Sequence, residues 1–71
     1  MTNKRLFKSA MDKAGFTQQT LADAIGIGLA TLNMKINNVR QFKTSEIVAL
    51  KRILNLSSEE RDAIFFADTV D

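Results

Sequence analysis

The sequence predicts an all-α fold built from five short helices. Apolar residues recur at steps of three and four along most of the chain, which is the periodicity of helices with one buried face. No segment alternates apolar and polar residues over the length of a strand, and proline is absent. A chain of 71 residues suits one small domain, so we expect a single unit over residues 1–71 with a loose tail at 67–71.

The first predicted helix covers residues 3–14. Its apolar stripe is Leu6, Phe7, Ala10, Met11 and Ala14. Gly15 is expected to end this helix, because glycine readily takes the left-handed conformation at a helix C-terminus. Phe16 is expected to pack inward just before the second helix.

The second and third predicted helices are separated by a glycine turn. Thr17 is a good N-cap for the second helix, and Gly26 ends it. The third helix covers residues 28–36 and ends at Asn37 and Asn38, since Asn follows Gly in tolerance of the left-handed conformation. The residues predicted to face the core are Leu21, Ala22, Ile25, Leu32 and Ile36, with Ile27 closing the turn.

The fourth helix is predicted to follow a loop, with Thr44 as its cap. Its inward residues are Ile47, Leu50, Ile53 and Leu54. The fifth helix is marked by Ser57 and Glu60, which have the spacing of a capping box. Ile64, Phe65 and Phe66 form its apolar side. Adjacent aromatics on a helix cannot both face one core, so we expect one to be buried and the other to lie under the tail or contact a second subunit.

The composition argues against an enzyme. The chain has no His and no Cys, which removes the usual catalytic bases and nucleophiles and the commonest metal ligands. We therefore expect no cofactor, no metal and no small-molecule substrate. No apolar run reaches the length needed to cross a bilayer, and the amino terminus lacks the apolar core of a signal peptide, so we expect a cytoplasmic protein without a membrane partner.

Charge is divided unequally between the two parts of the chain. Residues 1–43 carry seven cationic and two anionic side chains, a net charge of +5, whereas residues 44–71 carry three and six, a net charge of −3. A basic front of this kind suits a polyanion or an acidic protein surface, although two ordinary solvated faces would give a similar pattern.

A helix-turn-helix motif occupies residues 17–36. The residues that carry it in one register are Thr17, Gln18, Leu21, Ala22, Ile25, Gly26, Ile27, Thr31, Leu32 and Asn37. A small Ala22 lets two helices cross closely, and Gly26 permits the sharp turn between them. The sequence resembles the lambda-repressor-like helix-turn-helix proteins of the Cro and repressor type over nearly its whole length. The segment "FKTSEIVALKRILNLSSEE" followed by "IFF" is similar to small Cro-like regulators of temperate phages of Gram-positive bacteria.

The resemblance implies which residues contact DNA. Gln18 would hold a phosphate at the start of the second helix. The groove-facing positions would be Gly28, Leu29, Ala30, Asn33 and Met34. Asn37, Asn38 and Arg40 would follow the DNA backbone, and Lys35 and Lys43 would join them by reach and charge. The sequence departs from the family at Gly28, usually Ser or Thr, and at Asn38, usually Gly.

The third helix is poorly equipped to read bases. Only Asn33 among its groove-facing side chains can make directional hydrogen bonds to a base edge, while Leu29, Ala30 and Met34 can touch only thymine methyl groups. Two functions therefore stay open. The protein either binds operator DNA as a Cro-like repressor, with a two-fold homodimer suiting such operators, or binds the main phage repressor protein through this apolar surface and acts as an antirepressor.

Overall fold

The computed structural model describes residues 1–68, and its regular structure over these residues is entirely helical. The five helices are α1 (Lys4–Lys13), α2 (Gln18–Ile25), α3 (Leu29–Ile36), α4 (Thr44–Ile53) and α5 (Ser58–Phe65). α2 packs on α3 and α4, while α5 packs on α1 and α4. The predicted all-α class and the five predicted helices are confirmed, with boundaries that differ by a residue or two from those expected.

All five helices and the short segment before α5 contribute to one apolar core. Its buried members are Phe7, Met11, Leu21, Ala22, Leu32, Ile36, Leu50, Leu54, Leu56, Ile64 and Phe65. Leu21, Leu32, Ile36 and Leu50, which were all predicted to face the core, have no exposed surface at all. Ile25, also predicted to face the core, is half-buried and packs against the cluster.

Each of the first four helices ends in the same hydrogen-bonded turn. A residue with positive φ follows the helix at Gly15 (82°), Gly26 (76°), Asn38 (63°) and Asn55 (54°). The next residue donates its N–H to the carbonyl five residues back, as Val39 does to Met34 at 2.9 Å. This Schellman arrangement satisfies carbonyls that the helix leaves open. The predicted ends at Gly15, Gly26 and Asn38 are confirmed, and Asn55 performs the same task after α4.

The amino-terminal residues join two distant parts of the bundle. The Asn3 N–H donates to the Ile64 carbonyl at 2.7 Å, and Ala67 donates its own N–H to the Met1 carbonyl at 3.0 Å. The Asn38 side chain bonds both backbone groups of Thr2, accepting from its N–H at 2.8 Å and donating to its carbonyl at 3.0 Å. Asn38 is therefore more than a tolerated substitute for Gly, because it fixes the amino terminus beside the end of α3.

Two predictions, one about a helix face and one about a helix cap, are wrong. Leu6 and Ala14 are exposed, because the side of α1 that packs into the core is narrower than the predicted stripe and contains Phe7 and Met11. The N-cap of α4 is Lys43 rather than Thr44, which is already helical. A lysine side chain cannot accept a hydrogen bond, so the cap is completed from the other side by the Glu46 carboxylate, which accepts from the Lys43 N–H at 2.8 Å.

The predicted loose tail lies only partly within the described residues. Ala67 is held by the hydrogen bond to Met1. Residues 69–71 lie outside the described part of the chain.

Candidate nucleic-acid interface

The geometry of the candidate interface begins with the turn between α2 and α3. Thr17 caps α2 and exchanges bonds with Thr20, whose N–H donates to the Thr17 hydroxyl at 3.1 Å while its hydroxyl accepts from the Thr17 N–H at 2.9 Å. Gly26 takes the left-handed conformation that the turn requires. Gly28 then takes the N-cap position of α3 with an extended backbone and no side-chain bond, so this helix begins without a hydroxyl cap.

The outward face of α3 is apolar at its start and polar toward its end. Leu29 is 42% exposed, and Gly28, Ala30 and Asn33 are also exposed. Met34 is half-buried, so only part of its side chain is accessible. Burial of Leu32 and Ile36 on the opposite side sets this orientation. The side chains predicted to face the groove thus share one side of α3, with Met34 at its margin.

The loop after α3 carries two exposed cations, Arg40 and Lys43. Its two ends are fixed differently. Near α3, the Arg40 N–H donates to the Met34 carbonyl at 3.3 Å. Further along, Phe42 stacks on Phe7 with ring centroids 5.6 Å apart and meets the edge of Phe65 at 5.3 Å. This aromatic anchor, which the sequence interpretation did not include, holds the loop and its cations against the bundle.

Lys35 does not belong to the exposed set, which corrects the predicted phosphate contact at this position. The residue is only 3% exposed. Its Nζ lies 2.6 and 2.7 Å from the two carboxylate oxygens of Glu46 on α4. A buried ammonium whose charge is already paired is not available to a phosphate, so Lys35 connects α3 to α4 instead.

The ion pair with Lys35 changes the pKa of the Glu46 carboxyl. Burial alone raises the pKa of the group. The hydrogen bonds from the Lys35 ammonium and the Lys43 N–H, together with both positive charges, outweigh burial and hold the pKa below its usual value of 4.5. Glu46 therefore stays ionised near neutral pH and compensates the buried Lys35.

A chain of polar side chains closes the end of α3. The Lys4 Nζ donates to Asn37 Oδ1 at 3.1 Å. The Asn37 Nδ2 donates to both the carbonyl and the Oδ1 of Asn33, at 2.8 and 2.7 Å. The structure thus joins two predicted site residues, Asn33 and Asn37, and adds Lys4, which the sequence interpretation missed. The basic amino terminus was the only sequence signal for it.

The remaining predicted contacts are separate from this chain of bonds. Gln18 is half-buried on the first turn of α2. Asn38 is exposed, but both ends of its amide are bonded to Thr2, so its side chain is committed to the fold. At the end of α5, Phe65 is buried and Phe66 is 59% exposed, and the subunit contact predicted there stays a prediction.

Comparison with known families identifies the arrangement. The sequence profile of a helix-turn-helix family matches residues 7–61, which include all of α2, α3 and α4. The chain belongs to this helix-turn-helix family. Searches among curated proteins and among solved structures gave no significant match. The helix-turn-helix assignment supports a DNA-binding regulator of transcription and confirms the predicted family.

Each of the five described helices of this helix-turn-helix protein has eight to ten residues. None of its helices within residues 1–68 is long and apolar enough to cross a bilayer. Within the same residues, no group of three or more His, Cys, Asp or Glu side chains is placed to hold a metal ion.

Proposed function

We propose that the protein is a phage-type regulator of a genetic switch that binds operator DNA as a Cro-like repressor in the host cytoplasm. The supporting observation is the exposed face of α3, with the cations Arg40 and Lys43 in the loop that follows it. In this mechanism α3 enters the major groove and the loop lies along the DNA backbone. The family's role in transcription and the resemblance of the carboxyl-terminal segment to small Cro-like regulators both favour this proposal.

Electrostatics supplies most of the affinity in this mechanism. Lys4, Arg40 and Lys43 are exposed near the ends of the candidate interface, whereas Lys35 is neutralised by Glu46. Three cations contacting phosphates release few counterions, so we expect modest affinity and a slope of log affinity against log salt of about −2.7. Apolar contacts from Leu29 and Ala30 to thymine methyl groups, and one hydrogen-bonding contact from Asn33, would then supply the base preference.

Replacing Arg40 or Lys43 with Ala is expected to weaken binding to all DNA sequences alike. Each change should also reduce the slope of log affinity against log salt by about 1, because one phosphate contact is lost. Replacing Gln18 with Ala should weaken binding without that change in slope, since its amide is neutral. Asn33→Ala should instead alter the preferred sequence.

Fluorescence anisotropy with labelled duplexes, titrated between about 50 and 200 mM salt, measures these effects. Arg52→Ala is the matched control, because Arg52 is an exposed cation on the last turn of α4, outside the candidate interface. A loss equal to that of Arg40→Ala in this control would show that binding follows net charge rather than the proposed surface. Absence of any DNA binding at low salt would refute the Cro-like mechanism for the isolated protein.

A second candidate function is binding to the phage's main repressor. The observation that favours it is Leu29, a large apolar residue that is 42% exposed at a position where base readers carry hydrogen-bonding groups. With Ala30 and part of Met34 it forms an apolar centre, and Arg40 and Lys43 would provide a basic rim. Interfaces of this type concentrate their energy in a few central residues and use rim charges mainly to speed association.

Leu29→Asp is expected to abolish repressor binding and to leave the helical circular dichroism unchanged, because the side chain is exposed. The loss should exceed about 2 kcal/mol if Leu29 is a central contact. Met34→Asp is a less specific test, because Met34 is half-buried and a charge there would also affect folding. Lys43→Glu should chiefly slow association. Calorimetry with the purified repressor decides between the candidates: unchanged affinity for Leu29→Asp would exclude this surface.

A further inference from the structure

Asn33 is the one exposed side chain on the outward face of α3 that can read a base edge through hydrogen bonds, and its amide is already oriented. Its Oδ1 accepts from Asn37 Nδ2 at 2.7 Å. Its own Nδ2 makes no hydrogen bond within residues 1–68 and is therefore the group left for a ligand. The orientation matters because the two ends of an amide select opposite partners, one accepting and the other donating.

Groups of fixed polarity at both ends determine that orientation. The Lys4 ammonium can only donate, so Asn37 must turn its oxygen toward it, at 3.1 Å. The Asn33 backbone carbonyl can only accept, so Asn37 must turn its NH₂ group toward it, at 2.8 Å. If the Asn37 amide were reversed, its NH₂ group would face the Lys4 ammonium and its oxygen would face the Asn33 carbonyl oxygen, and neither pair could form a hydrogen bond. Asn33 must then present its oxygen to Asn37 and its NH₂ group outward.

We propose that this Lys4–Asn37–Asn33 relay makes Asn33 a donor-only base reader that selects guanine or thymine over adenine or cytosine at the position it faces. In the major groove guanine and thymine offer only acceptors. Cytosine offers only an amine donor, and adenine carries its amine beside its single acceptor, N7, where the amine would meet the outward NH₂ group. The inference rests on the proposed DNA-binding function. Within it, Asn33 touches the base, while Asn37 and Lys4 are positioning residues that act through it.

Altering the polarity of the relay is predicted to change which base Asn33 prefers, and not only to weaken its preference. Asn37→Ala frees the Asn33 amide to rotate, so discrimination at one position should fall from about 2- to 10-fold to none. Asn37→Asp replaces an amide, which can donate and accept, with a carboxylate, which can only accept. Asn33 can bond to that carboxylate only by turning its NH₂ group inward. Its oxygen then faces the groove, and the preference should move to adenine or cytosine at the same position.

Selection from a pool of random duplexes, followed by anisotropy on the selected site with each base at each position, tests the proposal. The wild-type protein and the Asn33→Ala, Asn37→Ala and Asn37→Asp variants are compared. Asn33→Ala identifies the contacted position. The expected result is that Asn37→Ala flattens preference there and nowhere else. An unchanged preference in Asn37→Ala, or a position occupied by adenine or cytosine in the wild type, overturns the proposal.

Nuclear magnetic resonance of the free protein keeps this inference separate from the proposed function. The side-chain amide protons of Asn37 should exchange with water more slowly than those of Asn33, and Lys4→Met should reduce the difference, because the Asn37 amide then keeps only its bonds to Asn33. Equal exchange rates in the wild type would show that the relay does not exist and overturn the inference, even if DNA binds. Slow Asn37 exchange in a protein that binds no DNA would refute the proposed function, and base selection with it.

Discussion

Leu32→Ala is expected to lower the free energy of unfolding by about 2–5 kcal/mol, the range for removing a fully buried leucine. Leu32 has no exposed surface and lies in a cluster with Leu21, Ile36 and Leu50, so α2, α3 and α4 all contribute to the site it fills. Small proteins are stabilised by roughly 0.05–0.15 kcal/mol per residue, so for 71 residues this loss is a large share of the total. The variant should be partly unfolded at physiological temperature.

Leu29→Ala is the matched control for this prediction. It removes the same atoms from the same helix, but Leu29 is exposed, and alanine is at least as good a helix former. Urea denaturation followed by circular dichroism should therefore show a large decrease in the midpoint for Leu32→Ala and almost no decrease for Leu29→Ala. Equal losses in the two variants would mean that the inward and outward faces of α3 are assigned wrongly.

The second large effect is expected at the buried ion pair between α3 and α4. Glu46→Gln keeps the shape of the side chain but removes the charge that compensates the Lys35 ammonium, which is only 3% exposed. Breaking a buried pair by removing one partner costs about 3–5 kcal/mol, because the remaining charge stays desolvated. Lys35→Met should cost less, since Glu46 keeps the hydrogen bond from the Lys43 N–H at 2.8 Å.

A double-mutant cycle with Lys35→Met and Glu46→Gln measures the interaction itself. The double variant should be more stable than Glu46→Gln alone, because it no longer contains an uncompensated buried cation. Additive losses would show that the two side chains do not interact in solution.

The same pair predicts how stability depends on pH. The folded-state pKa of Glu46 is lowered, so the carboxylate contributes its full stabilisation above its usual value of 4.5 and loses it as pH falls through the lower folded-state pKa. Glu46→Gln should flatten this part of the acid unfolding curve.

The fold was largely predictable because its signals are local. Thr17, Ser57 and the glycines at 15 and 26 act within one helical turn, and each is found at the end it was expected to mark. The face of α3 was also predictable, since Leu32 and Ile36 lie four residues apart. Phe42 could not be placed, because its packing on Phe7 and Phe65 depends on how the loop returns to the bundle.

The site was less predictable because its polar groups are partnered across the sequence. Lys35 looked like a surface cation, and only the approach of α4 brings Glu46, eleven residues away, to its ammonium. Asn38 and Lys4 contact residues 36 and 33 positions distant, which no periodicity reveals. The sole sequence signal for the burial of Lys35 was its position on the helix, adjacent to Ile36 and three residues after Leu32.

The central claim is that the outward face of α3 and the loop after it bind DNA. Titrating ¹⁵N-labelled protein with a short duplex of mixed sequence at low salt tests it most directly. We expect the largest amide shift changes at Leu29, Ala30, Asn33 and Arg40, reversed by added salt, with residues 58–61 at the start of α5 unaffected. Shift changes confined to residues 58–61, or none anywhere at low salt, would contradict the claim.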